Sequence, residues 1–283
     1  MSPWISIVVP SFNQAQFLEA TLRSLLDQRD PGLEIIVIDG GSTDRSVDII
    51  RAYADRLVWW ESETDRGQSH ALNKGFVRAK GAWLGWLNSD DLLLPGALQT
   101  LRQHIDAQRD REWWIGGGYF IDDKGHRFRD YGPPHGLQEP CQLNDWRQFW
   151  FAQPSTFFRR SLFDKAGRQL DEHLHYAMDL DLWLRFLKIA PPGFIDAEIS
   201  VYRHHVLGKT HALSVNGEAE IVGVVAAHLG LESALERVRN LAAERNALQQ
   251  YKQQLESRLR PLFILNRLWR SIRRFFRGDQ THV

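Results

Sequence analysis

The 283-residue sequence is poor in cysteine and in long apolar runs. Cys141 is its one cysteine, so no disulfide can form within the chain. No apolar run reaches the ~18 residues that a transmembrane helix needs, and the first residues lack the basic stretch and apolar run of a signal peptide. These absences exclude a disulfide-stabilised secreted domain and a membrane-spanning protein. We therefore expect a cytoplasmic protein.

The chain also lacks an excess of charge of either sign, because 35 basic residues balance 35 acidic ones. However, residues 257–283 hold seven arginines and a single acid, Asp279, which leaves 28 basic and 34 acidic residues elsewhere. An acidic body argues against nucleic-acid binding. The tail PLFILNRLWRSIRRFFRG predicts a basic amphipathic helix that contacts an anionic membrane surface, at the inner face of the cell membrane. Packing of this helix on the body or on a second subunit is the alternative.

Short β-branched runs alternate with helical patterns in the first 110 residues. The strands predicted there cover residues 5–9, 33–38, 58–60 and 82–87. Such alternation is typical of parallel βαβ units, so the sequence predicts an α/β fold with a Rossmann-type, mostly parallel sheet flanked by helices. Beyond residue 110 the pattern is less regular. The elements predicted there are strands over 113–121, 156–158 and 194–202 and a helix over 177–189.

Polar residues follow directly after each of the first four predicted strands. They are Pro10–Asn13, Asp39–Asp44, Ser62–Gln68 and Asn88–Asp91. The carboxyl ends of parallel strands share one edge of the sheet, where α/β proteins bind ligands, so these segments should meet at one site. The adjacent carboxylates of Asp90 and Asp91 suit a hard cation such as Mg²⁺ or Mn²⁺ together with substrate phosphates. A solvated turn in which Asp91 caps the next helix is the alternative.

Four segments occur in the order of the motifs of a known family. They read SIVVPSFNQAQFLEATLRSLL, IIVIDGGSTDRSVDII, SETDRGQSHALNKGF and GWLNSDDLLLPGAL. Together they resemble the family 2 inverting glycosyltransferases, which have the GT-A fold, over about residues 4–210. The resemblance implies a metal-dependent enzyme that moves a sugar from a UDP- or dTDP-linked donor to an acceptor hydroxyl, in surface polysaccharide synthesis. It implies a transferase domain over residues 1–216, with a nucleotide-binding half (1–110) and an acceptor half (111–216). The helical pattern beyond it predicts a helical, coiled-coil-like arm over 217–283 that ends in the basic amphipathic helix.

The resemblance also implies roles for residues of the predicted site. Asp39 would accept a hydrogen bond from the imide N–H of uracil or thymine, and Arg66 would pair with a phosphate or a ring carbonyl. Asp90 would bind Mg²⁺ or Mn²⁺ on the donor diphosphate, whereas Asn88 stands where the family usually has the first Asp of this motif. The residues expected to bind the nucleotide sugar are Pro10, Ser11, Asn13, Asp39, Ser42, Asp65, Arg66, Gly67, Gln68, Asn73, Asn88, Ser89 and Asp90.

The second half of the sequence supplies a candidate for acid–base chemistry. In YAMDLDLWLRFLKIA, Asp179 corresponds to the family's general base, a carboxylate that takes the proton of the attacking hydroxyl. Without the resemblance, Asp179 and Asp181 read as first-turn acids that favour the helix dipole. The resemblance further implies that His205 is a second metal ligand. Contacts with the donor sugar or the acceptor are expected from Asp91, Gln153 and Lys209.

Two other functions are compatible with the sequence. A sugar-nucleotide nucleotidyltransferase would carry a Gly-rich, basic loop after its first strand, where this chain has Pro10–Asn13. A degenerate scaffold that acts through its helical arm would tolerate Asn88 and Met178, which replace acids usual in the family. The arm has a heptad rhythm, typical of a spacer or a homodimer seam, which Arg245 and Lys252 interrupt. The expected partners are the nucleotide-sugar donor and a saccharide or lipid-linked saccharide acceptor, with no nucleic acid.

Overall fold

The structure is a computed structural model, and it describes residues 2–206, 208–209, 215–247, 249–251 and 253–254. The chain divides into two compact units, Met1–Ser233 and Ala234–Val283. All the strands of the described sheet belong to the first unit. The predicted functional boundary between residues 216 and 217 stays a prediction.

Strands and helices alternate along the first unit. The strands are β1 (Ile5–Ser11), β2 (Leu33–Asp39), β3 (Trp59–Ser62), β4 (Trp83–Trp86), β5 (Leu92–Leu93), β6 (Trp113–Ile121), β7 (Arg127–Tyr131), β8 (Thr156–Arg159) and β9 (Gly193–Arg203). The α-helices are α1 (Ala15–Leu26), α2 (Ser46–Ala52), α3 (Gln68–Arg78), α4 (Ala97–Ala107), α5 (Trp146–Phe149), α6 (Arg160–Lys165), α7 (Met178–Leu187) and α8 (Val215–Leu229). Short 3₁₀ turns lie at Ala54–Arg56, Pro140–Asn144 and Gln153–Ser155.

The strands form one sheet of order β3-β2-β1-β4-β8-β6-β9-β5, with β7 paired to β6. The first four strands in this order are parallel to one another, as the alternating pattern predicts. Strand β8 is antiparallel to both β4 and β6, whereas β9 is parallel to β6. The predicted α/β fold is therefore confirmed, and the sheet is mixed because β8 reverses the chain direction in its middle.

The register of the parallel strands brings their carboxyl ends together. Ser11 at the end of β1 pairs with Asp39 at the end of β2, and Asp39 pairs with Ser62 at the end of β3. The neighbouring β4 follows the same direction, and the N–H of Leu87 donates to the carbonyl oxygen of Val8. The loops that leave these four strands consequently start from one edge of the sheet.

Apolar side chains cover both faces of the sheet. On one face, Trp183 of α7 stacks on Trp86 of β4 and Trp113 of β6, with ring centroids 5.4 and 5.9 Å apart. On the other face, α1 and α4 bury side chains such as Leu22 and Leu101. Burial of this kind stabilises by about 25 cal/mol per Å² of apolar surface, so the stack of three indoles is a strong anchor for α7. The start of α7 is thereby fixed beside the carboxyl edge of the sheet.

The second unit is helical over its described residues, which include 234–247. The predicted helical C-terminal extension is thus present. The Arg-rich stretch 257–277 and the heptad positions Leu248 and Lys252 lie outside the described residues, so the membrane-surface and homodimer predictions stay predictions. Within the described part of the chain, no helix combines the length and the hydropathy needed to span a bilayer.

Candidate functional site

A cavity of about 600 Å³ opens at the carboxyl edge of the parallel strands, inside the first unit. Most of the residues predicted to form the site contribute to its wall. They are Pro10, Ser11, Asp65, Arg66, Gly67, Gln68, Asn88, Ser89, Asp90, Asp91, Gln153, Asp179, His205 and Lys209. Four predicted residues, Asn13, Asp39, Ser42 and Asn73, are absent from this wall. The structure therefore brings Asp90 and Asp91, which follow a parallel strand, and Asp179, which lies on α7, to one cavity.

Asp39 lies behind the cavity wall, and Gly40 lines the cavity in front of it. The Asp39 side chain is fully buried and accepts four hydrogen bonds. Its Oδ2 receives the N–H groups of Gly41 (3.1 Å) and Ser42 (2.9 Å) and the hydroxyl of Ser62 (2.7 Å), while its Oδ1 receives the hydroxyl of Ser42 (2.5 Å). The carboxylate thus organises this loop. Its role as the imide acceptor stays a prediction, and it requires the Ser42 hydroxyl to turn away from Oδ1.

Asn13 and Asn73 support the cavity from outside its wall. Asn13 adopts a left-handed backbone (φ 51°), its Oδ1 accepts the N–H of Thr43 at 2.9 Å, and its own N–H donates to the hydroxyl of Ser42 at 2.8 Å. The Asn73 amide donates to the carbonyl oxygen of Leu170 (2.9 Å) and accepts the N–H of the same residue (2.8 Å). In this structure both side chains hold neighbouring loops in place.

Arg66 is at the far wall of the cavity and is held by a residue that the sequence reasoning did not identify. Its guanidinium binds the carboxylate of Glu172, with Nε 3.1 Å from Oε2, and 68% of the Arg66 side chain is exposed. Burial raises the pKa of Glu172, but the hydrogen bonds from Arg66 and Asn73 outweigh it and lower that pKa. The carboxylate of Glu172 balances the charge of Arg66, and the pairing of Arg66 with a donor phosphate stays a prediction.

Asn88 forms hydrogen bonds with three polar side chains of the cavity wall. Its Oδ1 accepts from Nε2 of Gln68 at 2.7 Å, and its Nδ2 donates to Oδ2 of Asp91 at 3.2 Å and to Oε1 of Gln153 at 3.4 Å. An amide can donate and accept at once, whereas a carboxylate could only accept. This contact explains physically why Asn fits at the position where the family usually has Asp.

Asp91 is almost fully buried and helps to fix the end of β9. Its Oδ1 accepts the N–H of Arg203 at 2.9 Å, and the Arg203 Nε donates to the carbonyl oxygen of Asp90 at 3.0 Å. Burial, reinforced by the negative charge of Asp90, raises the pKa of Asp91 well above the usual carboxyl value. The sequence reasoning missed Arg203. A signal was available in the sequence, because Arg203 directly follows the predicted strand 194–202.

The two predicted metal ligands, Asp90 and His205, lie in direct contact. Nε2 of His205 is 2.9 Å from Oδ2 of Asp90, and the imidazole is buried against the ring of Phe17. The 2.9 Å contact is a hydrogen bond or ion pair, and the two side chains offer a carboxylate oxygen and an imidazole nitrogen, both of which are ligand atoms for divalent cations. The described residues contain no group of three or more His, Cys, Asp and Glu side chains suited to a metal. Substrate oxygens would have to supply further ligands.

Asp179 and Lys209 both line the same cavity. Asp179 is in the first turn of α7, and burial raises the pKa of its carboxyl group. Nζ of Lys209 donates to Oε1 of Gln68 (2.9 Å) and to the carbonyl oxygen of His175 (3.1 Å), and removal of water by the surrounding protein lowers its pKa. The other acid of this helix, Asp181, pairs instead with Arg185, and it is absent from the cavity wall. The geometry thus distinguishes Asp179 from Asp181.

The fold and the site can now be compared with known proteins. The sequence model described as glycosyl transferase family 2 matches residues 6–167. The chain belongs to glycosyl transferase family 2. It is 30% identical over 217 residues to an uncharacterized glycosyltransferase of Rickettsia typhi, an alignment that covers 71% of this chain and 63% of that relative. The family predicted from the four motifs is confirmed, and the chain spans less than two thirds of that family 2 relative.

Solved glycosyltransferases share the fold of this family 2 chain at low identity. The crystal structure of S. aureus TarS 1-349 in complex with UDP-GlcNAc superposes with a TM-score of 0.63 at 16% identity, covering 80% of this chain and 66% of TarS. The mannosyltransferase PcManGT from Pyrobaculum calidifontis, in complex with GDP-Man and Mn²⁺, gives 0.61 at 18% identity and covers 90% and 81%. The predicted GT-A type of fold is confirmed by these neighbours.

Proposed function

We propose that this family 2 protein is an inverting glycosyltransferase that moves a sugar from a UDP- or dTDP-linked donor to an acceptor hydroxyl. The observation that carries the proposal is the shared cavity, which is lined by the Asp90–His205 pair and by Asp179. A transferase of this kind needs a site for the donor diphosphate and a base for the acceptor within one enclosure. The donors bound by TarS and PcManGT, UDP-GlcNAc and GDP-Man, support a nucleotide-sugar donor.

The residues that would hold Mg²⁺ or Mn²⁺ are Asp90 and His205. When bound, the cation supplies positive charge that balances the charge growing on the departing diphosphate. The Mn²⁺ in the PcManGT complex supports this part of the proposal. Lys209 places a second positive group at the cavity, and Arg66 becomes a third when it leaves Glu172.

Asp179 acts as the general base in the proposed reaction. Its carboxylate takes the proton of the acceptor hydroxyl while the hydroxyl oxygen forms a bond to the anomeric carbon. The bond from that carbon to the diphosphate oxygen breaks with its electron pair, and attack from the opposite face inverts the configuration. A carboxylate with a raised pKa is the better base for this transfer.

Asp39 selects a pyrimidine donor in this proposal, by accepting the imide N–H of uracil or thymine through Oδ1. Gly40 lines the cavity in front of Asp39, and the hydrogen bond between Asn13 and Ser42 joins the loops after β1 and β2 beside it. This assignment predicts a preference for UDP or dTDP over nucleotides whose base lacks the imide. Asp65, Gly67 and Gln68 complete the opposite wall.

The proposed acceptor is a saccharide or a lipid-linked saccharide of surface polysaccharide synthesis. Gln153 is at the acceptor side, where its Nε2 donates to the carbonyl oxygen of Trp86 at 2.9 Å while the side chain lines the cavity. A membrane contact through the Arg-rich segment 257–277 would bring the enzyme to a lipid-linked acceptor. Pairing of two copies through the helical arm belongs to the same part of the proposal.

Release of UDP from UDP-glucose and UDP-N-acetylglucosamine, with Mn²⁺ and with EDTA, tests the function. We expect release with Mn²⁺, a loss of about 100-fold or more in Asp179→Asn, and wild-type release in Asp110→Asn, which removes an exposed carboxylate. Pyrophosphate formation from UTP and a sugar phosphate would indicate a nucleotidyltransferase. A chain that releases no UDP from any pyrimidine nucleotide sugar, and is indifferent to Asp179→Asn, would be a scaffold.

A further inference from the structure

The direction of the Asp179 side chain is set by the backbone at the start of α7. Its Oδ1 accepts a hydrogen bond from the N–H of Leu180 at 2.8 Å, within the same helical turn. Helix α7 begins at Met178, and its N-cap residue, Ala177, makes no side-chain capping bond. The first turn of a helix without a cap depends on contacts made by the preceding residues. The turn at residues 175–176 leads into this uncapped first turn and also lines the cavity.

Glu220 of helix α8 binds this turn. Its carboxylate accepts the backbone N–H of His175 on Oε1 and the N–H of Tyr176 on Oε2, the latter at 3.0 Å. Bonds from backbone N–H groups to a carboxylate are roughly twice as strong as bonds between neutral groups. On the other side of the same turn, Nζ of Lys209 donates to the carbonyl oxygen of His175 at 3.1 Å. Side chains of opposite charge thus hold the turn from both sides.

Helix α8 is itself well anchored, so Glu220 is a fixed support. Val224 and Val225 are buried, 5% and 2% exposed, and Nε2 of His228 is 2.8 Å from Oδ1 of Asp181 on α7. Glu220 and His228 are eight residues apart, which corresponds to about 12 Å along the helix. Two separated polar contacts and an apolar face therefore prevent α8 from rotating relative to the start of α7.

We propose that Glu220 is a positioning residue for the transfer reaction, which holds the His175–Tyr176 turn so that Asp179 points at the acceptor hydroxyl. This inference rests on the proposed function. It extends the functional unit into α8, which follows the residues matched by the family model, 6–167. Glu220 makes no contact with the cavity wall other than through this turn in the described bonds, so its effect on the reaction is indirect.

The charge of Glu220 also reaches Asp179. Burial is the main cause that raises the pKa of Asp179; the negative charge of Glu220 adds to it, and the positive charge of Lys209 opposes it. Glu220→Gln keeps an oxygen that can accept the two N–H groups but removes the charge, whereas Glu220→Ala removes both. The two variants therefore separate the effect of position from the effect of charge.

Amide hydrogen exchange of the full chain, followed by NMR, tests the contact. We expect slow exchange at His175 and Tyr176 in the wild type, fast exchange in Glu220→Ala, and slow exchange again in Glu220→Gln. Glu232→Ala, which removes an exposed carboxylate, is the matched control and should leave both amides slow. If Glu220→Ala leaves both amides as slow as in the wild type, Glu220 does not hold the turn and the proposal is overturned.

Steady-state kinetics with UDP-glucose and UDP-N-acetylglucosamine measure the consequence. In Glu220→Ala we expect kcat to fall by up to about 100-fold with the KM for the donor unchanged, since misplacing a reacting group by about 1 Å costs this much. Glu220→Gln should restore most of kcat and move the acidic limb of the pH profile to lower pH. Equal kcat in Glu220→Ala and the wild type overturns the proposal. A wild type that releases no UDP contradicts the proposed function instead, and hydrogen exchange still decides whether Glu220 holds the turn.

Discussion

Nε2 of His205 lies 2.9 Å from Oδ2 of Asp90, although 115 residues separate them in the chain. Both side chains are largely buried at the cavity, with 2% and 17% of their side-chain surfaces exposed. The contact joins the loop after β4 to the segment after β9 at the cavity, and these two side chains are the proposed ligands of the cation.

Asp90→Asn should weaken Mn²⁺-dependent binding of UDP by about 10- to 100-fold, the loss typical when the shell around a metal is damaged. The reason is that an amide oxygen carries no charge to attract the cation. Calorimetric titration with UDP in Mn²⁺ measures the affinity, and the same titration in EDTA should give equal values for the variant and the wild type. Equal affinities in Mn²⁺ as well would exclude Asp90 as a ligand.

The acidic limb of the kcat profile should lie above the usual carboxyl pKa. Burial raises the pKa of Asp179, so its carboxylate takes up a proton at a higher pH than an ordinary Asp does. The protonated group cannot act as the base, and the rate therefore falls as the pH is lowered through this pKa. The rate of UDP release between about pH 4 and pH 8 shows the limb. Asp110→Asn should not move it. A limb at the value of an ordinary Asp, about 3.9, would show that Asp179 is not the titrating base.

Asp179→Asn should unfold at a higher temperature than the wild type at pH 7, even though it is expected to be inactive. The pKa of Asp179 is raised in the folded state, so its contribution to stability is present at low pH and is lost as the pH rises through that pKa. Asn cannot ionise, so the variant does not lose this stability as the pH rises. Its side-chain oxygen can still accept the N–H of Leu180. Differential scanning calorimetry at pH 7 and pH 4 should show that the gain shrinks at the lower pH.

Asn88→Asp should destabilise the fold by about 1–3 kcal/mol, the cost of an unmatched buried polar group. The new carboxylate oxygen would face Oδ2 of Asp91 and Oε1 of Gln153, where Asn88 now donates at 3.2 and 3.4 Å. Urea unfolding at pH 7 gives the change in free energy. Asn240→Asp, at an exposed position, is the control and should be close to neutral. An unchanged free energy of unfolding in Asn88→Asp would show that the hydrogen bonds donated by the Asn88 amide do not contribute to stability.

Ser42→Ala should raise the preference for UDP over CDP by about 2- to 10-fold, equivalent to one net hydrogen bond. The Ser42 hydroxyl occupies Oδ1 of Asp39 at 2.5 Å, and its removal frees that oxygen for the imide N–H of uracil, which cytosine lacks. The ratio of the dissociation constants for UDP and CDP is the quantity to compare, because a general change in the loop would alter both constants alike. An unchanged ratio would argue that Asp39 does not read the base.

The residues of the first 110 that line the site could be predicted from the sequence, because each group directly follows a strand that the local apolar pattern predicts. Parallel strands must end at one edge, so the residues after β1, β2, β3 and β4 had to converge. The interior position of Asp39 could not be predicted, since whether a strand-end carboxylate faces the cavity or its own loop depends on hydroxyls such as Ser62, 23 residues away. Strand ends show where polar groups gather but not which way each one turns.

Contacts between distant helices and loops were the part that the sequence did not reveal. Glu172 and Glu220 are ordinary acids in a charged chain, and their partners Arg66 and His175 lie 106 and 45 residues away. Strand β7 was missed because its residues are mostly charged and exposed, and β5 because it has only two residues. Neither gives the apolar periodicity from which a strand is predicted.

Helix α8 starts at Val215, 48 residues after the family match ends at residue 167, yet its Glu220 binds the turn that precedes α7, the helix of the proposed base Asp179. Truncation just before α8 would keep every strand of the described residues, together with His205 and Lys209, and would remove Glu220. The fragment should still bind UDP, but its kcat for UDP release should be lower than that of the full chain. The proposed catalytic unit therefore extends beyond the residues that the family model matches, 6–167.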